Sequence, residues 1–201
     1  MKVESDYNAP RKVQIATVAS TLVGTGLTTL YLAKGKFRNI PKLEMGIKDA
    51  FLISCGSIAS GLIGGTLADD KKQAIYKVRE ASNQLIGNTA IPLACLYAVN
   101  KFTKPLNKLA RAVIAVTTLI ASTFIGHEVA DEVNDKIFKE KRKYRIGIKD
   151  FITDFDDVLF GASTVMNNKP LYRATACICP FTYSNLGIMA GTRHKRLDTE
   201  I

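Results

Sequence analysis

The chain has 201 residues, 47% of them hydrophobic, and carries 28 Lys and Arg against 18 Asp and Glu for a net charge of +10. That length allows one domain or two small ones. Apolar blocks almost free of charge alternate with short basic linkers, which argues against an ordinary soluble bundle, where charge enters every helical turn.

In chain order, residues 1–12 form an N-terminal tail of mixed charge, with Lys2, Glu4, Asp6, Arg11 and Lys12. Block 13–33 holds no charged residue, is long for the core of a signal peptide and is followed by further apolar blocks, so it reads as a first transmembrane helix. Block 50–68 is equally uncharged. Both reach the roughly 20 apolar residues that a bilayer core requires. Block 83–99 is shorter and polar at its start; if it crosses, Asn88, Thr89 and Pro92 mark a helix broken in mid-span. Block 109–130 carries Arg111 near one end and His127 and Glu128 near the other.

Every linker is basic. Lys34, Lys36, Arg38, Lys42 and Lys48 follow the first block, Lys71, Lys72, Lys77 and Arg79 the second, and Lys101, Lys104 and Lys108 the third. Seven more Lys and Arg, from Lys136 to Lys149, follow the fourth. Spread over all linkers and without interleaved aromatics, this charge points to a bilayer with anionic headgroups rather than to nucleic acid. The count of Lys and Arg on the two sides favours an N-terminus inside, and the expected location is a plasma (inner) membrane.

Residues 58–70 read IASGLIGGTLADD, and residues 120–132 read IASTFIGHEVADE. The match continues through Ile75/Ile137, Tyr76/Phe138 and Lys77/Lys139, longer than composition alone produces. Ser60, Gly64 and Ala68 lie on one helical ridge at i, i+4 and i+8, as do Ser122, Gly126 and Ala130. Such ridges let helix backbones approach closely in lipid, and copy packing against copy about a pseudo-twofold axis is one expected arrangement. Gly61 and Gly65 continue a ridge from Ser57 that is absent from the second copy, where Leu119, Thr123 and His127 stand; they are expected to serve a contact of the first copy alone. Asp69 and Asp131 recur at the exit of each block, where the helix dipole disfavours an acid. Either the helix continues beyond the membrane, or these acids bind a basic partner such as Lys71, Lys72 or a linker lysine. The repeating unit is then a hairpin, at 13–77 and again at 83–139.

In the C-terminal third, 147–163 places Phe151, Phe155, Val158, Leu159 and Ala162 on one face and Asp150, Asp154 and Asp157 on another. This is an amphipathic helix that lies on the membrane or docks on the hairpins. Block 174–191 is apolar, with Pro180 as a kink. As a lone fifth crossing it sends Arg193, Lys195 and Arg196 to the side opposite the N-terminus, against the charge rule; a re-entrant or interfacial segment, or a protein with its N-terminus outside, avoids this. Residues from 192 onward read as a disordered tail.

Chemistry is sparse. His127-Glu128 opens like a zinc-protease helix but lacks the second His. Cys55, Cys95, Cys177 and Cys179 have no metal or redox spacing, and no glycine-rich phosphate loop precedes a helix. No catalytic, cofactor-binding or metal residues are assigned. The small-residue ridges resemble glycine-zipper membrane segments, a loose class without one function. The stretch KGKFRNIP at 34–41 is similar to the mitochondrial protein-import family of four-span membrane proteins. That family's Arg-x3-Asp signature is absent, since Met45 stands four residues before Asp49, and the family is not assigned.

The expected fold is all-α: a multi-pass helical membrane protein with about four transmembrane helices as two tandem repeated hairpins, an amphipathic helix and a C-terminal apolar segment. Its expected role is a membrane scaffold or interaction protein, as a homo-oligomer or with another membrane protein. A small transporter or channel is the alternative, and a soluble helical-bundle interaction protein a third reading.

Overall fold

The computed structural model describes residues 9–139, 155–166 and 169–193. Every regular element among them is helical. Helices α1 (Arg11–Leu32), α2 (Ile47–Leu67), α3 (Ala74–Leu85), α4 (Ile91–Phe102), α5 (Lys108–Phe138), α6 (Phe155–Met166) and α7 (Lys169–Thr192) follow in order. A 3-10 turn (Phe37–Lys42) lies between α1 and α2, and a π turn (Ile86–Ala90) joins α3 to α4. Three helices, α1, α2 and α5, are long and apolar enough to cross a membrane. The third predicted block is not among them.

The polarity of these helices is inverted relative to a soluble bundle. In α1 the buried residues are Val13, Thr17, Thr21, Thr25 and Thr29, at a strict spacing of four. Its exposed residues include Ile15, Leu22, Val23, Leu27 and Tyr31. In α2 the inside includes Ser54, Ser57, Gly61 and Gly65, and the outside Phe51, Leu52, Ile63 and Leu67. Small and hydroxylated residues face inward because they allow backbones to meet; the large apolar ones face outward, as lipid permits and water does not.

The close contacts fix the directions. Thr28 meets Gly56, Ser60 meets Gly24 and Ser20 meets Gly64, so α1 and α2 are antiparallel. Ser57 and Gly61 meet Gly187, and Gly61 and Gly65 meet Gly191, so α7 runs parallel to α2. Arg79 pairs with Asp135, Asn83 with Asn134, and Gly87 touches Gly126, so α3 and α5 are antiparallel. One end of the bundle, the terminal end, therefore gathers the start of α1, the end of α2, the start of α3 and the ends of α5 and α7. The loop end carries the α1–α2 and α4–α5 connections and the start of α7.

This direction answers the charge conflict at the C-terminus. Arg193 lies at the terminal end with Arg11, not opposite to it. α6 lies beside α5, with Gly161 against Leu119 and Val116, in the half of α5 nearer the loop end. The predicted amphipathic helix over 147–163 falls in part outside the described residues. Lys195, Arg196 and most of the predicted tail do so as well.

Candidate functional site

The sequence-predicted ridges have separate partners. Gly64 packs on Ala16 and Ser20 of α1, and Ser60 on Gly24. A Cβ at Gly126 would strike the backbone of Gly87, so the second ridge faces the π turn, between the buried Ser122 and Ala130. Copy does not pack on copy through these glycines; each faces the helix that precedes it. Gly61 and Gly65 pack on Gly187 and Gly191 of α7. Ala68 is the C-cap of α2.

The recurring acids lie in different structures. In the first copy the helix stops at Leu67. The Asp69 carboxylate accepts from the Asp70 N–H, and Asp70 accepts from the Lys72 N–H, capping a short 3-10 turn (Lys71–Gln73). Asp is a strong cap former and a poor helix former. The second copy has Glu132 at the equivalent of Asp70, and α5 continues through Asp131 to Phe138. Helix continuation thus holds for Asp131. Asp69 pairs with a lysine of the linker, Lys77, at 2.9 Å. Lys139, the equivalent of Lys77, is instead the left-handed C-cap of α5.

Lys77 is the most constrained cation of the described residues. Its side chain is fully buried. Besides the Asp69 carboxylate, its ammonium donates to the Gly191 carbonyl at 2.7 Å and to the Arg193 carbonyl at 3.1 Å. A lysine in the second turn of α3 opposes that helix's dipole, and an aspartate just past α2 opposes that one. Placed together they cancel, and the ammonium also receives the negative end of α7. Lys77 is therefore a clamp joining the α2–α3 turn to the end of the last helix.

From Lys77 a seam of buried polar groups runs up α3. Glu80 lies 3.8 Å from the Arg193 guanidinium and accepts from the Gln84 amide at 2.7 Å. Asn88 donates to Gln84 Oε1 at 2.6 Å, and Thr89 to the Gln84 carbonyl at 3.2 Å. Toward α5, Arg79 pairs with Asp135 at 2.7 Å and Asn134 donates to Asn83 Oδ1 at 2.7 Å. His127 is buried with its ring against Gly87, where a Cβ would come within 2.8 Å of Nδ1.

The π turn ends the seam. A proline lacks an N–H and its ring collides with the carbonyl four residues earlier, so Pro92 cannot continue an α-helix over Asn88. The ladder widens instead, and the Ile91 N–H reaches the Ile86 carbonyl, five residues back. Asn88 and Thr89, expected in a broken mid-span helix, sit in this turn, and Pro92 sits at the start of α4. Sequence reading missed the seam because Lys77 and Arg79 counted as linker charge. Its signal was available: Gln73, Lys77, Glu80, Gln84 and Asn88 follow spacings of four, three, four and four, a polar stripe at helical period.

Among the described residues no group of three or more His, Cys, Asp or Glu side chains comes together. The described residues form an all-helical architecture, with three helices long and apolar enough to cross a membrane, held by small-residue contacts and a buried polar seam. No known protein family, curated protein or solved structure matches the chain.

Proposed function

We propose that this protein is an integral, multi-pass membrane scaffold without catalysis. Two tandem hairpins, α1–α2 and α3/α4–α5, supply four crossings, and α7 fills the groove of the first. The observation that carries the reading is the way the seam is filled. Its amides and charges are engaged by one another along α3 and the π turn and by the protein's own α5 and α7, and the helices meet backbone to backbone at Gly61, Gly87 and Gly187. Interhelical hydrogen bonds of this kind hold helices in lipid. The exposed Ile, Leu, Val and Phe of α1, α2 and α5 form the lipid-facing surface, in a plasma (inner) membrane on this reading.

The π turn supports a second reading, a small transporter or channel. Interrupted helices with polar residues near mid-span are where transporters hold substrates, and a buried ionisable residue in a membrane is a functional candidate in its own right. Two measurements separate the possibilities. Carbonate extraction tests membrane integration, and release into the soluble fraction overturns the proposal in favour of a soluble bundle. Ion flux in liposomes tests transport. A scaffold gives none above empty vesicles, whereas flux abolished by Asp69→Asn or Pro92→Leu establishes the transporter reading.

A further inference from the structure

Exposed charge is confined to the ends of the helices, with one exception. Every other exposed Lys, Arg, Asp or Glu of the described residues lies in a connection or within two turns of a helix end. Glu128 stands deeper. It is exposed on α5 among the exposed apolar side chains of Phe124, Ile125 and Val129. Its depth follows from the contacts that mark the terminal end. Asp69 past α2, Lys77 of α3 and the Gly191 and Arg193 carbonyls of α7 meet there, and Arg79 of α3 pairs with Asp135 of α5. Glu128 lies seven residues before Asp135, roughly 10 Å further in along the helix. A full crossing such as α2 has 21 residues, roughly 31 Å, so the carboxylate sits about a third of the way across.

No described residue neutralises it. Glu128 makes neither a hydrogen bond nor an ion pair among the described residues. One turn away on its own helix stand Phe124 and Ile125 on one side and Asp131 and Glu132 on the other, and Glu132 is held by Lys136. An ionisable side chain at this depth is costly in hydrocarbon and is rarely left facing it; it pairs with another group. The face it belongs to also offers room. Thr117 and Ala121, four residues apart, are exposed on the same side of α5. Elsewhere in this fold, small residues at that spacing are where helix backbones meet, as at Gly61 and Gly65 against α7.

We propose that the outward face of α5 at Thr117, Ala121 and Glu128 docks a transmembrane helix of another membrane protein, one that carries a Lys or Arg at the depth of Glu128. Charge complementarity selects this occupant. A second copy of the chain lies in the same orientation in the bilayer. A symmetric contact through this face then sets Glu128 against Glu128. An asymmetric one finds no exposed cation at that depth among the described residues, because all of those lie in connections or near helix ends. Thr117 and Ala121 admit the partner backbone, and the pairing of Glu128 with the partner's cation fixes its register. This inference rests on the reading of the protein as an integral membrane scaffold and names what the scaffold receives.

The test places the N-terminally labelled full chain in phosphatidylcholine vesicles with a labelled synthetic Leu–Ala helix of about 22 residues. One version carries a Lys roughly 10 Å inside each end, and the other has Leu at both positions. Energy transfer between the labels reads association. The wild type is expected to bind the Lys helix about threefold to twentyfold more tightly than the Leu helix, the range of an interhelical polar contact in a membrane. Glu128→Leu, at an exposed position without a partner, leaves the fold intact and brings the ratio near unity. Glu128→Asp keeps most of the preference, and Glu132→Gln keeps all of it. Ala121→Leu, which adds bulk on the same face, weakens binding of the Lys helix severalfold. Equal affinity of the wild type for both helices overturns the proposal, as does a preference that survives in Glu128→Leu. Self-association of the chain that is lost in Glu128→Leu also overturns it, assigning the face to a second copy. Carbonate extraction keeps the two proposals apart: a wild type that stays in the membrane without the preference loses only the docking face, and a wild type released from the membrane loses the membrane reading itself.

Discussion

Replacing Gly61 with Ala tests whether α7 is seated by backbone contact. A Cβ at Gly61 would lie on the Gly187 carbonyl and within 2.7 Å of Gly187 Cα. Carbon atoms rest about 3.5–4.0 Å apart, so α7 must withdraw by roughly 1 Å. The withdrawal cannot stay local. One turn on, Gly65 makes the same contact with Gly191. One turn back, the Ser57 hydroxyl donates to the Tyr183 carbonyl at 2.7 Å and accepts from the Gly187 N–H at 3.1 Å. Overpacking costs about 1–3 kcal/mol, and each interhelical hydrogen bond in a membrane is worth about 0.6 kcal/mol. Alanine returns about 0.5–1 kcal/mol of helix preference. The net expectation is a loss of about 1–3 kcal/mol. Cys179 reports it, being fully buried on α7 one turn before Tyr183, while Cys177 is exposed. In a Cys177→Ser background in micelles, thiol labelling mapped to Cys179 should accelerate in Gly61→Ala and its unfolding midpoint should fall. Gly26→Ala is the control, since a Cβ there meets nothing within 4 Å; it should be neutral or slightly stabilising. If the two variants behave alike, α7 does not sit on the glycine face and the packing described for it is wrong.

Three further outcomes follow from the same contacts. Lys77→Met strands Asp69 and two carbonyls, and breaking a buried pair costs about 3–5 kcal/mol; Asp69→Leu with Lys77→Met should recover much of this in thermal melts, and a single variant as stable as wild type would remove the clamp. A double-mutant cycle of Asn83→Leu and Asn134→Leu should give a coupling of about 0.6 kcal/mol and no more than about 1.7; zero coupling would mean the two amides do not bond. In α1 the Gly35 N–H donates to the Leu30 carbonyl and the Lys34 N–H to the Tyr31 carbonyl, with both residues left-handed. In zwitterionic detergent Lys34→Gly should therefore stabilise by about 1 kcal/mol and Gly35→Ala destabilise by a similar amount, and unchanged melting of both would contradict that turn.

Helices whose environment is uniform were the easiest to read. Blocks 13–33 and 50–68 coincide with α1 and α2 to within three residues at either end, because an uncharged stretch of bilayer length has few other ways to satisfy its backbone. Block 83–99 does not correspond to one regular helix. The helical path begins at Ala74 and passes through a π turn, and its polar half is made tolerable by partners 51 to 116 residues away in the chain, such as Asn134 for Asn83 and Arg193 for Lys77. Local hydropathy registers those charges but not what neutralises them. The separate character of Gly61 and Gly65 was legible from the repeat, whereas their partner was not. Nothing in the sequence pairs Gly61 with Gly187 until the direction of α7 is known, and that direction is set by where the chain returns after α5.

The two copies of the repeated line differ where their later partners differ. Ser57 and Leu119 occupy equivalent positions, and each meets a glycine of a later helix: Ser57 meets Gly187 of α7, and Leu119 meets Gly161 of α6. At the next two positions the first copy has Gly61 and Gly65, which admit the α7 backbone, where the second has Thr123 and His127. The His127 ring lies against Gly87. Past the ridge, Asp70 ends the first helix and turns α3 back, so that Lys77 meets both Asp69 and the last carbonyls of α7. Glu132 lets the second helix run on, carrying Asn134 and Asp135 into reach of Asn83 and Arg79. These departures between the copies match observed contacts: glycine and a broken helix where α7 is received and clamped, bulk and a continuous helix where α5 lines the seam. Among the residues that stay the same, Gly64 faces α1 and Gly126 faces the π turn, in each case chain that precedes its own helix.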